Sequence, residues 1–434
     1  MGRFLFTLCA AWSSLFSLTL EEVEQMALEN NPDIQSASAL VEKAHQGRLS
    51  VIGKWLPQLS LLSQAFRTQK PLEFFQLTKP STFFTQLSLT QTLISSPLIH
   101  DIKISALIID QFKQLVEAAK NDILYKVRVQ YYLVALDRQK VATAEEHIKL
   151  LEYLAEEMAS RHQIGEATPY NVNQARVAIA NVQERFYRYF EQLKTDRDEL
   201  ARLMGIDPST NPYDFSQEEI DLGKIPKLNL AAEQLPMEEF SHWQDIADQY
   251  RPDILLSKTL LSVAEEKVRS HEGEYWPKLS VLGGYGGGST PYLSVPTERF
   301  NNQIFQWAVG LSLNWNLFDG LSRERNVRAA KAEVSSVRFD AKKTLQAAHT
   351  DVRHQLYKIE KSLAKYRTAS ANLELAVETM GQARSQLEIG YSTLSDYLIS
   401  ADGWVQAKTN YDEGKFELLA AYFGLLHSSG KGSN

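Results

Sequence analysis

The chain has 434 residues, 44% hydrophobic and 23% charged, which suits a large folded core and excludes a disordered or low-complexity protein. Acidic residues outnumber Lys plus Arg by 53 to 46, so the net charge of -7 gives no reason to expect a nucleic-acid partner, and the single cysteine, Cys9, excludes intrachain disulfides and cysteine-ligated metal. Beyond the amino terminus no apolar run reaches the roughly eighteen residues a spanning helix needs, so any membrane crossing must use strands.

The amino terminus reads as an export signal spanning 1–18: Arg3 is the only charge before the apolar run Phe4 to Leu18, and Glu21-Glu22 follow. Cleavage is expected near Ser17. Cys9 then lies in the discarded segment, because too few apolar residues precede it for a lipid anchor. A helix is predicted from Leu20 to Lys54, a strand from Gln58 to Arg67, a loop from Thr68 to Ser81, and a strand alternating Leu87, Leu89, Gln91 and Leu93 with Ser88, Thr90 and Thr92. Pro97 to Gln163 reads as one long helix ending at Gly165, and Thr168 to Met204 returns. Pro208, Pro212, Pro226 and Pro236 mark Gly205 to His242 as a connector.

The order then repeats: helix Trp243 to Glu274, strand Lys278 to Gly286, loop Gly287 to Asn302, strand Phe305 to Leu317, helix Leu321 to Glu388, turn at Gly390, helix Thr393 to His427. Asn31-Pro32-Asp33-Ile34 returns as Arg251-Pro252-Asp253-Ile254, and Leu56-Pro57-Gln58-Leu59-Ser60 as Trp276-Pro277-Lys278-Leu279-Ser280. Ile164-Gly165 with Thr168 likewise returns as Ile389-Gly390 with Thr393, so the chain is a duplication. Its segments are a first repeat 19–205, a linker 206–242, a second repeat 243–427 and a tail 428–434. Phe305, Trp307, Val309, Leu311, Leu313 and Trp315 alternate with small or polar residues, as a tilted membrane strand with one lipid face and one wet face requires. Heptad spacing from Val337 to Leu387 marks the helix Leu321 to Glu388, which would be on the order of 100 Å long, deeper than a globular core.

These residues resemble the TolC-like outer-membrane efflux proteins: the Asn31-Pro32-Asp33-Ile34 start, Pro57-Gln58-Leu59-Ser60 entering the first strand, and the two Ile-Gly turns. The resemblance implies a homotrimer whose strands form a twelve-stranded β-barrel in the bacterial outer membrane, continued by a twelve-helix α-barrel across the periplasm. Four strands alone cannot close a membrane barrel, which independently calls for oligomerisation. The implied role is a passive exit channel working with an inner-membrane transporter through a periplasmic adaptor. The alternative is a periplasmic coiled-coil scaffold without a pore.

The resemblance also implies that Ile164, Gly165, Glu166, Ile389, Gly390 and Tyr391 form the periplasmic tip that meets the adaptor, although glycine would reverse the chain there in any case. Asp396, with Asn171, would line the pore constriction; the bland reading of Asp396 is a carboxylate complementing a helix dipole. Three converging Asp396 carboxylates would be partly protonated. Where the family's best-known member has a Tyr-Asp-Arg lock, this chain has Leu387, Asn171 and Ser392. Neither catalytic residues nor a cofactor or metal site is expected. Gly283 to Gly288 lacks the Lys-Ser/Thr of a phosphate loop, His349 and His354 fall on different helix faces, and Phe186 to Phe190 reads as packing.

Overall fold

A computed structural model describes residues 17–67, 81–210, 214–215, 237–289 and 306–432. Most of the proposed signal segment, most of both strand-connecting loops, and Phe305 lie outside the described residues.

The described elements are β1 (Ser17–Leu18), α1 (Leu20–Asn30), α2 (Pro32–Gly53), β2 (Gln58–Arg67), β3 (Ser81–Ile94), α3 (Ser96–Gln163), α4 (Pro169–Leu203), β4 (Asp214–Phe215), α5 (Met237–Tyr250), α6 (Pro252–Gly273), β5 (Lys278–Ser289), β6 (Gln306–Asn314), α7 (Ser322–Glu388) and α8 (Leu394–Ser428). Each repeat is thus a broken helix, a strand, a strand, a helix of 68 or 67 residues, and a return helix of 35. The helix expected from Leu20 to Lys54 breaks at Asn31, whose ψ of 126° is the extended backbone that a following proline imposes. Pro252 likewise separates α5 from α6, and α5 already begins at Met237, six residues before Trp243. β6 ends at Asn314, short of the expected Leu317: Lys278 pairs with Asn314, and Pro277 has no N–H to continue the ladder.

The chain divides into two compact units. One holds 38–114 and 256–343, with an antiparallel sheet ordered β2-β3-β5-β6. The register is continuous except at a bulge between Thr92 and Ile94, which makes Leu93 the extra residue and leaves Ile94 opposite Leu279. Gly286 is required in β5, since a Cβ there would sit 2.7 Å from the Thr85 carbonyl oxygen.

The other unit holds the remaining helical segments. Its main core joins Val23 and Ala27 of α1 to Val127 and Tyr132 of α3, Leu200 of α4, Leu356 and Ile359 of α7 and Leu418 and Leu419 of α8. Each such buried aliphatic contributes about 1.5–3 kcal/mol before entropy is counted. Leu18, buried in the same cluster, precedes Thr19, which caps α1 in a reciprocal box with Glu22. At the helix breaks the repeats diverge. Asn31 accepts from the Asp33 N–H at 2.9 Å and donates to the Leu203 carbonyl at 2.8 Å, while Arg251 donates to the carbonyls of Ala348 and Ser428 and to Asp351. Gly205 and Gly430, at φ +74° and +76°, let the return helices end against these joints.

Candidate functional site

Three features of the chain bear on function: the helix turns, the polar contacts between long helices, and the sheet.

α3 ends in a paired-bond cap in which the Gly165 N–H bonds the His162 carbonyl and the Glu166 N–H that of Arg161. α7 ends identically, through Gly390 to Leu387 and Tyr391 to Gln386. Both glycines take positive φ, +83° and +76°. Thr168 then caps α4 and Thr393 caps α8. Asn171 and Asp396 occupy the same position, third in each helix. The Thr168 hydroxyl donates to Asn171 Oδ1 at 3.0 Å, and the Thr393 hydroxyl donates to Asp396 Oδ2 at 2.6 Å. The hydroxyl and backbone N–H of Thr393 hold the exposed Asp396 carboxyl below its ordinary pKa within one chain, opposite to the protonation expected of three converging carboxylates. Ile164, Ile389 and Tyr391 project at 70%, 78% and 83% exposure, and Glu166 is exposed. Behind both turns Leu151, Leu154 and Met158 pack with Val172, Leu387, Leu394 and Tyr397, bringing them onto one core.

The positions at which the resemblance leads one to look for a lock carry no polar pair with one another here: Leu387 is buried in that core and the Ser392 hydroxyl has no hydrogen-bond partner. Arg384, one turn before Leu387, bonds Glu157 of α3 and Glu388 at 2.8 Å each, with its guanidinium over the rings of Tyr153 and Tyr397. Arg185 of α4 bonds Asp402 of α8 at 2.6 Å. Sequence reasoning missed these contacts, because charged residues at helical spacing look alike whether they face solvent or a neighbour.

Three buried titratable residues were also missed. Burial and the adjacent Asp196 push the Asp137 carboxyl up to about 7. Burial acts on Asp196 in the same direction, but hydrogen bonds from Asp137, Gln192 and Gln130 prevail and hold it below the usual carboxylate range. The two neighbouring carboxyls are thus shifted in opposite directions, Asp137 up and Asp196 down. Lys140, 3.9 Å from Asp137, bonds Glu413 at 2.9 Å instead. His147 is buried with neither ring nitrogen hydrogen-bonded; burial lowers its pKa, with Asp402 opposing and Arg185 adding to the effect.

In the sheet, register sets Leu59, Leu89, Gly283 and Val309 in one row and Leu61, Leu87, Tyr285 and Trp307 in the next, all on one face. The opposite face carries Ser60, Ser88, Gly284 and Ala308 in a row, with the two serine hydroxyls 2.8 Å apart. Val309, Leu311 and Leu313 are exposed on β6. Trp315 lies past the strand end and donates its indole N–H to the Tyr275 carbonyl at 3.1 Å. The glycine-rich stretch of β5 is strand, His349 pairs with Asp248, and Phe186 and Tyr189 pack on the core while Tyr187 is exposed.

Residues 23–206 and 243–430 match the model of the outer membrane efflux protein family, and the chain belongs to that family, one of transport channels and not an enzyme class. It is 20% identical over 306 residues to an uncharacterized protein of Haemophilus influenzae, covering 70% of this chain and 63% of that one. It is 23% identical over 323 residues to Protein CyaE of Bordetella pertussis, covering 74% and 65%. The chain thus spans a little under two thirds of the length of these relatives. The crystal structure of the Campylobacter jejuni CmeC outer membrane channel superposes with a TM-score of 0.78 at 18% identity, covering 95% of this chain and 86% of that one, a likeness of fold.

Proposed function

We propose that the protein is the outer-membrane exit channel of a tripartite efflux or type I secretion system, a passive duct assembled from three copies. The observation that carries this reading is the four-stranded sheet. One face is mainly apolar, the other mainly small and polar with Leu62 and Leu282 as exceptions, and its outer strands β2 and β6 have no strand partner among the described residues. An open edge in hydrocarbon leaves backbone groups unsatisfied at several kcal/mol each, whereas three sheets joined edge to edge satisfy them all. Trp307, Val309, Leu311 and Leu313 then face outer-membrane lipid, with Trp315 just past the strand end. Helices of 68 and 67 residues, on the order of 100 Å, supply a periplasmic extension.

In this reading the turns around Ile164, Gly165, Glu166, Ile389, Gly390 and Tyr391 form the tip that meets a periplasmic adaptor coupled to an inner-membrane transporter. Asp396 and Asn171 line the constriction, and Arg384 with Glu157 holds the resting state in place of the missing lock. The burial of Leu18 favours signal cleavage on its amino-terminal side. Fractionation of native cells, mass measurement in mild detergent and planar-bilayer recording test the proposal together. Recovery from the outer membrane as a conducting trimer is expected. A soluble periplasmic protein without conductance would establish the scaffold reading instead.

A further inference from the structure

The two repeats leave the sheet differently. β3 passes into α3 through Ser95 alone, whereas β6 passes into α7 through residues 315–321. That longer connection holds Leu317 and Phe318 at 75% and 77% exposure and Leu321 at 52%. Gly320 and Leu321 both take left-handed backbone, φ +68° and +70°, and Leu321 is the only non-glycine residue with positive φ among those described. Leucine seldom adopts that conformation unless its surroundings hold it there. Here they do. Asp319 Oδ2 accepts from the Arg323 N–H at 3.2 Å and from its Nε at 2.8 Å, Arg323 Nη1 donates to the Glu274 carbonyl at 3.2 Å, and the guanidinium covers the Tyr275 ring. A bracket of charged and aromatic groups thus fixes a turn whose apolar side chains bury little within the chain.

We propose that the turn Leu317–Leu321 is a lipid-inserting finger, seated among phospholipid acyl chains just below the headgroups of the leaflet on the helix side of the sheet. This rests on the reading that the sheet spans a membrane. The occupant follows from continuity and composition. Leu311 and Leu313 of β6, then Trp315 just past its end, lead directly into the turn, while Trp276, Leu56 and Trp315, all exposed at the same end of the strands, form the aromatic and aliphatic fringe of a bilayer boundary. The first repeat, lacking the connection, lacks the finger, so three copies would carry three fingers around the barrel base.

Spin labels on Phe318→Cys, in a Cys9→Ser background reconstituted into phosphatidylethanolamine–phosphatidylglycerol vesicles, test this, with Leu311→Cys as the lipid reference and Gly381→Cys as the water reference. The label at 318 is expected to collide freely with oxygen and to be several-fold less accessible to a water-soluble nickel chelate than the label at 381. Access to the chelate equal to that at 381 would make the turn a solvent loop, and shielding from both probes would make it a contact between copies; either overturns the proposal. Should the label at 311 itself be water-accessible, the membrane reading fails and the finger with it. Leu317→Cys carries the same expectation and serves if Phe318→Cys does not assemble.

Discussion

At the first helix turn Gly165 takes φ +83° and Thr168 caps α4 over Asn171; at the second, Gly390 takes +76° and Thr393 caps α8 over Asp396. The backbone solution is kept wherever only one residue type can provide it, and the chemistry differs by one functional group at a fixed position. The helix breaks repeat this. Gly205 and Gly430 do the same conformational task, beside a neutral Asn31 in one repeat and a multiply bonded Arg251 in the other. Duplication supplied the frame, and divergence placed the carboxylate and the guanidinium in the second copy.

The comparison breaks most visibly if the sheets of the two repeats do not respond alike. Leu311→Arg and its first-repeat counterpart Leu87→Arg are each expected to cost about 2–4 kcal/mol near the membrane midplane, whereas Ser312→Arg alters conductance with little loss of stability. Urea unfolding in vesicles, beside single-channel recording, separates these outcomes, and equal damage at 311 and 312 would refute the face assignment. Next come the glycines. Alanine at 205 or 430 adds a Cβ within 2.4 Å of the Asn30 carbonyl oxygen or 2.6 Å of Arg251 Cα, besides the positive φ, so about 2–3 kcal/mol is expected. Alanine at 165 or 390 meets open space and loses only the conformational preference, about 1–2 kcal/mol, readable by helical circular dichroism during melting.

The proposed constriction sharpens the contrast further. Asp396→Asn makes the second turn like the first, and cation preference is expected to weaken; Asn171→Asp makes the first like the second, and it is expected to strengthen. Each change perturbs a cap by about 1 kcal/mol or less, so trimer assembly survives. A permeability ratio unmoved by both would leave Asp396 as a helix-capping carboxylate.

A further set of effects is in pH. Asp137 titrates near 7 when folded against 3.8 when unfolded, so the stability of its protonated form is lost as pH rises from about 4 to about 7. His147 behaves oppositely: its folded pKa lies below 6.5, so stability is lost as pH falls through 6.5. Asp137→Asn is expected to flatten the first dependence and His147→Leu the second, in melting temperatures followed from pH 4 to 8.

The element order, the duplication and the length of both long helices were legible because periods of two and of seven residues persist over many turns. Lost were the features that depend on a partner far along the chain. The break at Asn31 was visible in Pro32, yet the apolar pattern continues through it. The end of β6 is set by Pro277, 37 residues from Asn314, and the bulge at Leu93 by register with β5. Of the candidate site, the turn glycines and capping threonines were readable as local signals, but Arg384, the Asp137–Asp196 pair and His147 gain meaning only from helices up to 227 residues away.

In the proposed membrane channel, the edges of β2 and β6, which have no strand partner among the described residues, also order events in time. A lone protomer cannot enter hydrocarbon without stranding two rows of peptide groups, so insertion and association must be one step, not successive ones. The helical segments, whose backbone bonds close within themselves, are free to fold beforehand in water. In the proposed channel, biogenesis would therefore run from the helices toward the membrane, and a mutation that slows edge pairing would accumulate water-borne protomers with intact helices, not half-built pores.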